Sequence, residues 1–339
     1  MLCMKKKIKR LEKLIQKKDV MPSVFPFIRN NQADINNPET VSYTKGMLSI
    51  VVPYYNMGQY IDETIQSLQL CSYADKEILI INDGSTDKLS LDKLNEYRQK
   101  KNLKVIDVKN SGLAKARNLG ARNANGEFLA FLDADDTVKP GYYTRAIEVF
   151  RQYKNVHFAG CWVQYFGNSH NIWPAFMPEP PLILNHNMVN SSSLVYKRAS
   201  FLAAGKNDPT MKFQGMEDYE SVVSMLARGF GAVVIPETLF NYRVRSGSMF
   251  RTISKSKKLS LYQHISNKHK KFYATFAADI FTLLNANGPG ILLDNPSLDH
   301  HLADKLPFGG KLSGKIIALI KRNHFVKSIA YKVYRLLKK

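Results

Sequence analysis

The sequence predicts an α/β fold in which a mostly parallel central sheet is flanked by helices. Short apolar runs that suit buried strands alternate with segments whose apolar residues recur at helical spacing. One run, Phe128–Leu132, is followed at once by three carboxylates, Asp133, Asp135 and Asp136. Buried carboxylates need partners, so these belong where the strand emerges, at the sheet edge where open α/β folds bind ligands.

The first half of the chain alternates strands and helices. Strands separated by helices run parallel in a doubly wound sheet, and mostly apolar strands are expected where both faces are covered. The strands are predicted at 48–53, 77–82, 103–107 and 128–132, and the helices at 59–70, 89–101 and 113–124.

The pattern is less regular beyond Pro140. Helices are predicted at 141–153, 217–228 and across most of 255–285, strands at 156–166, 191–196 and 231–236, and a loop at 173–181. We therefore divide the chain into a basic N-terminal helix and polar linker (1–46), a core domain (47–250), a helical and irregular extension (251–310) and a basic amphipathic C-terminal helix (311–339).

The net charge of +21 is concentrated at the two ends of the chain. Residues 1–30 carry +7 and residues 311–339 carry +9, which leaves about +5 between them. A nucleic-acid enzyme would carry its charge around a cleft, so we expect no nucleic-acid partner. Three widely spaced cysteines fit neither a disulfide framework nor a zinc site, which favours the reducing cytosol.

The C-terminal segment 311–339 has an apolar stripe at helical spacing, with Lys327, Lys332, Arg335 and Lys338 off the stripe. A basic amphipathic helix of this kind is typical of binding to an anionic membrane surface. Packing on the core domain is the alternative. The N-terminal helix could instead self-associate, which keeps a homo-oligomer open.

Asp133 and Asp135 are candidate metal ligands. In extended backbone, residues two apart point to the same side of the strand. Two hard oxygen ligands beside a ligand crevice favour a divalent cation that bridges to phosphate. The eight histidines show no metal-ligand pattern, and His264 and His269 are interpreted as surface residues.

Other segments at predicted strand ends suit the remaining parts of a nucleotide. Tyr54 or Tyr55 can offer a ring face to a base, and Asp83 can accept hydrogen bonds from a base or ribose. Gly112 precedes a helix whose N-terminal N–H groups favour anions, and Arg117 adds positive charge nearby. Together with the two aspartates, this set could hold a base, a ribose, two phosphates and their metal.

In order and spacing, five segments resemble the family 2 glycosyltransferases with the GT-A fold. The resemblance covers roughly residues 48–250 and rests on Val51–Asn56, Ile81–Asp87, Asn110–Gly120, Leu132–Asp136 and Gly215–Glu220. It implies a GT-A domain with a helical C-terminal extension, and a nucleotide-diphosphate sugar as donor, with UDP the expected nucleotide.

The resemblance also implies roles for individual residues. Asp133 and Asp135 match the DxD motif that contacts ribose and a Mn²⁺ or Mg²⁺ ion on the diphosphate. Asp218 matches the catalytic base, and the preceding Glu217 is implied as the second catalytic acid. Arg245 stands about where the family often has a histidine, as a contact from a late segment of the domain. The implied donor-binding residues are Pro53, Tyr55, Asn56, Asp83, Gly112, Arg117, Asp133, Ala134 and Asp135.

These features predict an inverting, metal-dependent glycosyltransferase that is peripheral to the inner face of the cell membrane. Its expected acceptor is a hydroxyl of a polysaccharide, lipopolysaccharide or lipid-linked saccharide. Two other functions stay open. One is a nucleotide-sugar-binding scaffold without turnover. The other is a sugar nucleotidyltransferase, although 53–58 lacks the cation expected in its phosphate loop.

Overall fold

The structure is a computed structural model that describes residues 42–245 and 253–287. The chain forms two compact units, each with most of its contacts inside itself: Met1–Thr275 and Phe276–Lys339. The described part of the second unit contains one helix, α10 (Ala277–Asn287). The predicted N-terminal helix and the amphipathic helix at 311–339 lie outside the described residues, as does most of the irregular part of the extension.

The four strands predicted in the first half of the chain form the parallel half of the sheet. They are β1 (Thr44–Tyr54), β2 (Lys76–Asp83), β3 (Leu103–Val108) and β4 (Gly126–Phe131), in the spatial order β3-β2-β1-β4. The helices that connect them are α1 (Ile61–Gln69), α2 (Lys88–Arg98) and α3 (Leu113–Asn123). β1 begins inside the segment predicted as a linker, and each of the other strands lies within two residues of its predicted bounds.

The second half of the sheet is mixed. Its strands are β5 (Thr137–Val138), β6 (Val156–Gly167), β7 (Ile172–Trp173), β8 (Val195–Lys197) and β9 (Gly231–Val244). The sheet continues from β4 in the order β8-β6-β9-β5, with β7 paired to β6. β8 is antiparallel to both β4 and β6, whereas β9 is parallel to β6. The prediction of an α/β fold is thus confirmed, with parallel pairing throughout the first half and between β6 and β9 in the second.

The first unit contains further described helices in the second half of the fold. They are α4 (Tyr142–Gln152), α5 (Leu182–Asn185), α6 (Arg198–Ala203), α7 (Glu217–Ala227), α8 (Lys255–Lys268) and α9 (Lys270–Thr275). Among the residues that the structure describes, no helix is long and apolar enough to cross a lipid bilayer.

The strand predicted at 191–196 is wrong in its first half, because Ser191–Ser193 form a 3₁₀ turn and the strand is limited to β8. The carbonyl of Asn190 accepts hydrogen bonds from both the backbone N–H and the hydroxyl of Ser193. Serine side chains offer the backbone such local partners and so compete with strand pairing.

β9 continues well past Pro236, where the predicted strand ends. The pairing with β6 shifts register between Cys161–Ile235 and Trp162–Thr238, so that Pro236 lies in a bulge. A bulge accommodates a residue without a backbone N–H and lets the strand resume. The part of β9 beyond Pro236 carries Arg243, and the residue that follows the strand, Arg245, to the carboxyl end of β4.

Candidate active site

The loop that leaves β4 is held from two sides. The hydroxyl of Thr64 in α1 donates to the carbonyls of Ala134 (3.0 Å) and Asp136 (2.8 Å). The backbone N–H of Arg243 donates to Oδ1 of Asp136 at 2.8 Å. Asp136 is buried, and burial, together with Asp135 and Asp133, raises the pKa of its carboxyl well above the usual range. Asp136 therefore fixes the loop, and the Ala134 side chain lies in the hydrophobic core.

Arg117 lies at the centre of the site. Its side chain is only 2% exposed, with Nη2 2.6 Å from Oδ1 of Asp133 and Nη1 3.5 Å from Oε1 of Glu217. Burial opposes its charge, but Asp133, Glu217 and Asp218 together outweigh that effect and raise the pKa of Arg117. One guanidinium therefore joins the DxD carboxylate to the acidic pair that begins α7.

The two acids of that pair have different surroundings. Glu217 is 3% exposed, and its Oε2 accepts a hydrogen bond from the backbone N–H of Gly215 at 2.7 Å. Asp218 is partly exposed. Burial and the neighbouring Glu217 charge raise the pKa of Asp218 to about 6, against the lowering effect of Arg117. Asp218 thus has the more accessible carboxylate, whose pKa suits a proton acceptor near neutral pH. A catalytic role for Glu217 stays a prediction.

Asp83 organises the turn at the start of α3. It is 5% exposed, and its two oxygens accept the backbone N–H groups of Ser111 (2.8 Å) and Gly112 (2.9 Å). Gly112 has φ +95°, and a Cβ there would lie 2.7 Å from Nε2 of Gln214. The positive φ favours glycine at this position, whereas the exposed Gln214 side chain could move away from an added Cβ. Any contact of Asp83 with a nucleoside stays a prediction.

The loop after β1 separates the two tyrosines. Tyr54 is buried and donates its hydroxyl to the carbonyl of Ser90, whereas Tyr55 is 45% exposed. Asn56, with φ 52°, accepts the backbone N–H of Thr86 at 2.8 Å and so connects this loop to the one after β2. Of the two rings, only Tyr55 is placed where it can contact a ligand. Pro53 is buried within β1.

Two arginines at the end of β9 contact the DxD loop in different ways. Nε of Arg243 donates to the carbonyl of Asp135 at 2.8 Å. Nε of Arg245 lies 2.6 Å from the Oδ2 carboxylate oxygen of Asp135. Burial and the charge of Asp133 raise the pKa of Asp135, and Arg245 opposes this. Arg245, predicted as a contact from the late segment, is therefore directly at the DxD motif.

Asp133 and Asp135 fit a divalent cation by the chemistry of their oxygens. Their side chains are 26% and 16% exposed, so both can be reached from solvent. Within residues 42–245 and 253–287, no group of three or more His, Cys, Asp or Glu side chains could hold a metal. The described part of the protein would therefore supply one or two carboxylates, which suits an ion whose coordination phosphates and water complete.

A second polar cluster lies between α7 and α8. Lys268 contacts both Asp208 and Glu220 at 2.8 Å, His264 contacts Asp208 at 3.1 Å, and His269 contacts Glu220 at 2.7 Å. The interpretation of His269 as a surface residue is wrong, because its side chain is 10% exposed. No local sequence signal connects these residues, since the acids and bases lie 48 to 60 positions apart along the chain.

Comparison with known proteins agrees with the family suggested by the motifs. The family model for glycosyl transferase family 2 matches residues 49–204. An uncharacterised glycosyltransferase of Methanocaldococcus jannaschii is 26% identical over 250 residues, which are 70% of this chain and 84% of that protein. Three further relatives match over 102 to 115 residues, at most 33% of their own length.

Two solved structures show the fold. S. aureus TarS 1–349 in complex with UDP-GlcNAc has a TM-score of 0.56 at 19% identity, over 76% of this chain and 80% of that one. Mannosyltransferase PcManGT from Pyrobaculum calidifontis, with GDP-Man and Mn²⁺, has a TM-score of 0.54 at 16% identity, over 89% and 91%. The predicted GT-A fold is confirmed. These comparisons support the prediction of a family 2 glycosyltransferase.

Proposed function

We propose that this family 2 glycosyltransferase moves a sugar from a nucleotide-diphosphate sugar to an acceptor hydroxyl, with inversion at the anomeric carbon. The observation that carries the proposal is the position of Arg117, which contacts Asp133 on one side and Glu217 on the other. Arg117 thereby connects Asp133, a carboxylate suited to the donor diphosphate, to the acidic pair that contains Asp218. Asp218 is the carboxylate suited to proton transfer.

Asp218 is the proposed general base. An acceptor hydroxyl that attacks the anomeric carbon needs a carboxylate within hydrogen-bond reach to take its proton. A pKa of about 6 leaves Asp218 ionised at neutral pH and still able to accept that proton. A single displacement with one base inverts the configuration and needs no second carboxylate as a nucleophile. Glu217 would orient Arg117 through their ion pair.

Asp133 and Asp135 are the proposed ligands of a Mn²⁺ or Mg²⁺ ion. When bound, such an ion would neutralise charge that develops on the diphosphate leaving group. The donor set supports the ion, and the complex of PcManGT contains Mn²⁺. The solved structure of TarS is a complex with UDP-GlcNAc, and that of PcManGT is a complex with GDP-Man. UDP is our proposed nucleotide here, and nucleotide release with uridine, guanosine and thymidine sugars, with and without Mn²⁺, tests that choice.

The proposed acceptor is a growing surface glycan, such as a polysaccharide, a lipopolysaccharide or a lipid-linked saccharide. The support is the basic character of residues 1–30 and 311–339, because acceptors of this class are held at a membrane. The enzyme would then act in the cytoplasm at the inner membrane face.

Paired substitutions test the assignment of roles. We expect Asp218→Asn and Asp135→Asn each to lower transfer by at least about 100-fold. Only Asp135→Asn should weaken Mn²⁺-dependent nucleotide binding, measured by calorimetry. Asp92→Asn is the matched control, because Asp92 is an exposed carboxylate on α2. Full transfer by Asp218→Asn would refute the proposed base.

A scaffold without turnover is the second candidate. The presence of both the Asp133–Asp135 pair and Asp218 argues against it. Wild-type protein that binds a nucleotide sugar but neither hydrolyses it nor transfers it to any acceptor would favour the scaffold instead.

A further inference from the structure

Arg245 holds the carboxylate that is proposed to bind the metal. Its Nε lies 2.6 Å from Oδ2 of Asp135, and the Arg245 and Asp135 side chains are 26% and 16% exposed. The guanidinium lies over the ring of Tyr60, 5.5 Å from its centroid, and Nη2 is 3.7 Å from Sδ of Met57. The pair is thus partly shielded from water and supported on its other faces.

Arg243, the other arginine near this loop, does not contact the carboxylate of Asp135. Its guanidinium donates to the backbone carbonyl of Asp135 and to Glu63 (2.7 Å), and it lies over the ring of Phe166 at 4.3 Å. None of these contacts of Arg243 involves the carboxylate oxygens of Asp135. Only Arg245 of these two arginines occupies an oxygen that a cation would need.

We propose that Arg245 is a resident counter-cation of Asp135, which the divalent ion displaces when it arrives with the nucleotide diphosphate. The freed guanidinium then binds that diphosphate. The inference rests on the proposed metal site at Asp133 and Asp135.

Electrostatics and coordination support this exchange. A guanidinium and a divalent ion on the same carboxylate oxygen would repel each other at close range. The ion therefore binds weakly while Arg245 stays in place. Phosphate oxygens complete the coordination of the ion and offer the guanidinium a bidentate partner. Metal and nucleotide are then expected to bind cooperatively.

Mn²⁺ binding to the full-length protein tests the exchange, followed by the electron paramagnetic resonance signal of free Mn²⁺ with and without UDP. We expect Arg245→Gln to bind Mn²⁺ alone about fivefold tighter than wild type, the effect of losing one partly shielded ion pair. UDP should raise Mn²⁺ affinity less in this variant than in wild type. Arg245→Lys, which keeps the cation, should stay within about twofold of wild type for Mn²⁺ alone.

Two further variants test whether the change in Mn²⁺ affinity is specific to Arg245. Arg145→Gln removes the same charge from its pair with Glu237, in which each side chain is about one-third exposed, and should leave Mn²⁺ binding unchanged. Arg245→Met replaces Arg245→Gln if circular dichroism shows that the latter fails to fold.

The outcomes separate this inference from the proposed function. If Mn²⁺ binds with UDP and Asp135→Asn abolishes that binding, the metal site stands. Unchanged or weaker binding of Mn²⁺ alone by Arg245→Gln would then overturn the exchange by itself. If wild type binds no Mn²⁺ with or without UDP, the metal site and the exchange both fail.

Discussion

The charge balance around Arg117 explains how one site can hold carboxylates with different tasks. Asp133, Glu217 and Asp218 all act on this single buried cation. Burial and the charge of Glu217 raise the pKa of Asp218. Arg117 lowers that pKa only in part, because its single positive charge is shared among three carboxylates. The pairing of Arg117 with Glu217 thus bears on catalysis without requiring Glu217 to touch the substrate.

The pH dependence of transfer follows from this balance. Below its pKa, Asp218 is protonated and cannot accept a proton, so kcat at saturating donor should rise with pH and level off, with a midpoint at about 6. Nucleotide release between pH 5 and 8 measures the profile. Glu217→Gln removes a charge that raises the pKa of Asp218, so its midpoint should move to lower pH.

Glu217→Gln also separates positioning from catalysis. We expect kcat on the plateau to fall less than about tenfold, whereas loss of a general base costs about 100-fold or more. Glu148→Gln is the control, because Glu148 is an exposed acid on α4. A plateau reduced by 100-fold, or a midpoint that does not move, would contradict the positioning role.

At the residue scale, the sequence identifies which residues belong to the candidate site but not which of their side chains contact one another. The positions of Asp133, Asp135 and Asp218 follow from motifs at strand and helix ends. The contact of Arg117 with Glu217 joins residues 100 positions apart, and the contact of Arg245 with Asp135 joins residues 110 apart. No local pattern encodes such pairs, because they depend on how separate elements meet.

At the scale of elements, the parallel strands are the most predictable part. Ile50, Val51 and Val52 of β1 are wholly buried, as expected of a strand covered on both faces. Short-range apolar pattern therefore suffices for β1 to β4. It fails at the 3₁₀ turn before β8, where serine hydroxyls bond locally, and at β9, where a bulge carries the strand past Pro236.

The contact between α3 and β1 depends on Gly120. A Cβ at this position would lie 2.2 Å and 2.8 Å from the two γ-methyl carbons of Val51. The Cβ of Val51 would also lie 3.1 Å away, and rotation of the valine side chain does not move that atom. Gly120→Ala should therefore lower the free energy of unfolding by about 1–3 kcal/mol, measured by urea denaturation. Because α3 also carries Arg117, activity should fall as well.

Gly141→Ala is the matched control. An added Cβ at Gly141 meets no atom within 4 Å, and φ there is −83°. The loss at this N-cap position should be at most about 1 kcal/mol. Equal losses in the two variants would show that helix packing on β1 does not require the glycine.

The junction of α7 with α8 depends on a buried carboxylate. Glu220 is 0% exposed and accepts hydrogen bonds from Ser224 (2.8 Å) and His269 (2.7 Å), besides its ion pair with Lys268. Glu220→Gln removes the charge but keeps the shape. We expect a loss of about 2–3 kcal/mol in the free energy of unfolding, because Lys268 and His269 lose a buried partner.

The same measurement on Glu148→Gln provides the reference. Its ion pair with Arg145 has both side chains at least one-third exposed, so the change should be below about 1 kcal/mol. A loss for Glu220→Gln no larger than this would indicate that α8 is held mainly by apolar contacts such as those of Leu261 and Ile265, which are both buried.

At the scale of the whole molecule, the charge distribution separates two tasks. Residues 1–30 and 311–339 hold most of the net charge, and the family match covers residues 49–204 between them. The candidate active-site residues all lie between these two basic ends, from Pro53 to Arg245. We propose an anionic membrane surface as their partner, because it would suit both their charge and the apolar stripe in 311–339.

Deletion of residues 311–339 tests this membrane role. Basic residues near an anionic leaflet gain about 1 kcal/mol each, and +9 is removed by the deletion. We expect the shortened protein to lose most of its flotation with phosphatidylserine-containing liposomes and to keep nucleotide release with a soluble donor.

Binding of the full chain to these liposomes should weaken as the salt concentration increases, because ions screen charges near a surface. Replacing Lys327, Lys332, Arg335 and Lys338 by Gln keeps the apolar stripe and isolates the contribution of charge. Unchanged flotation of both variants would instead assign the segment to packing on the core domain.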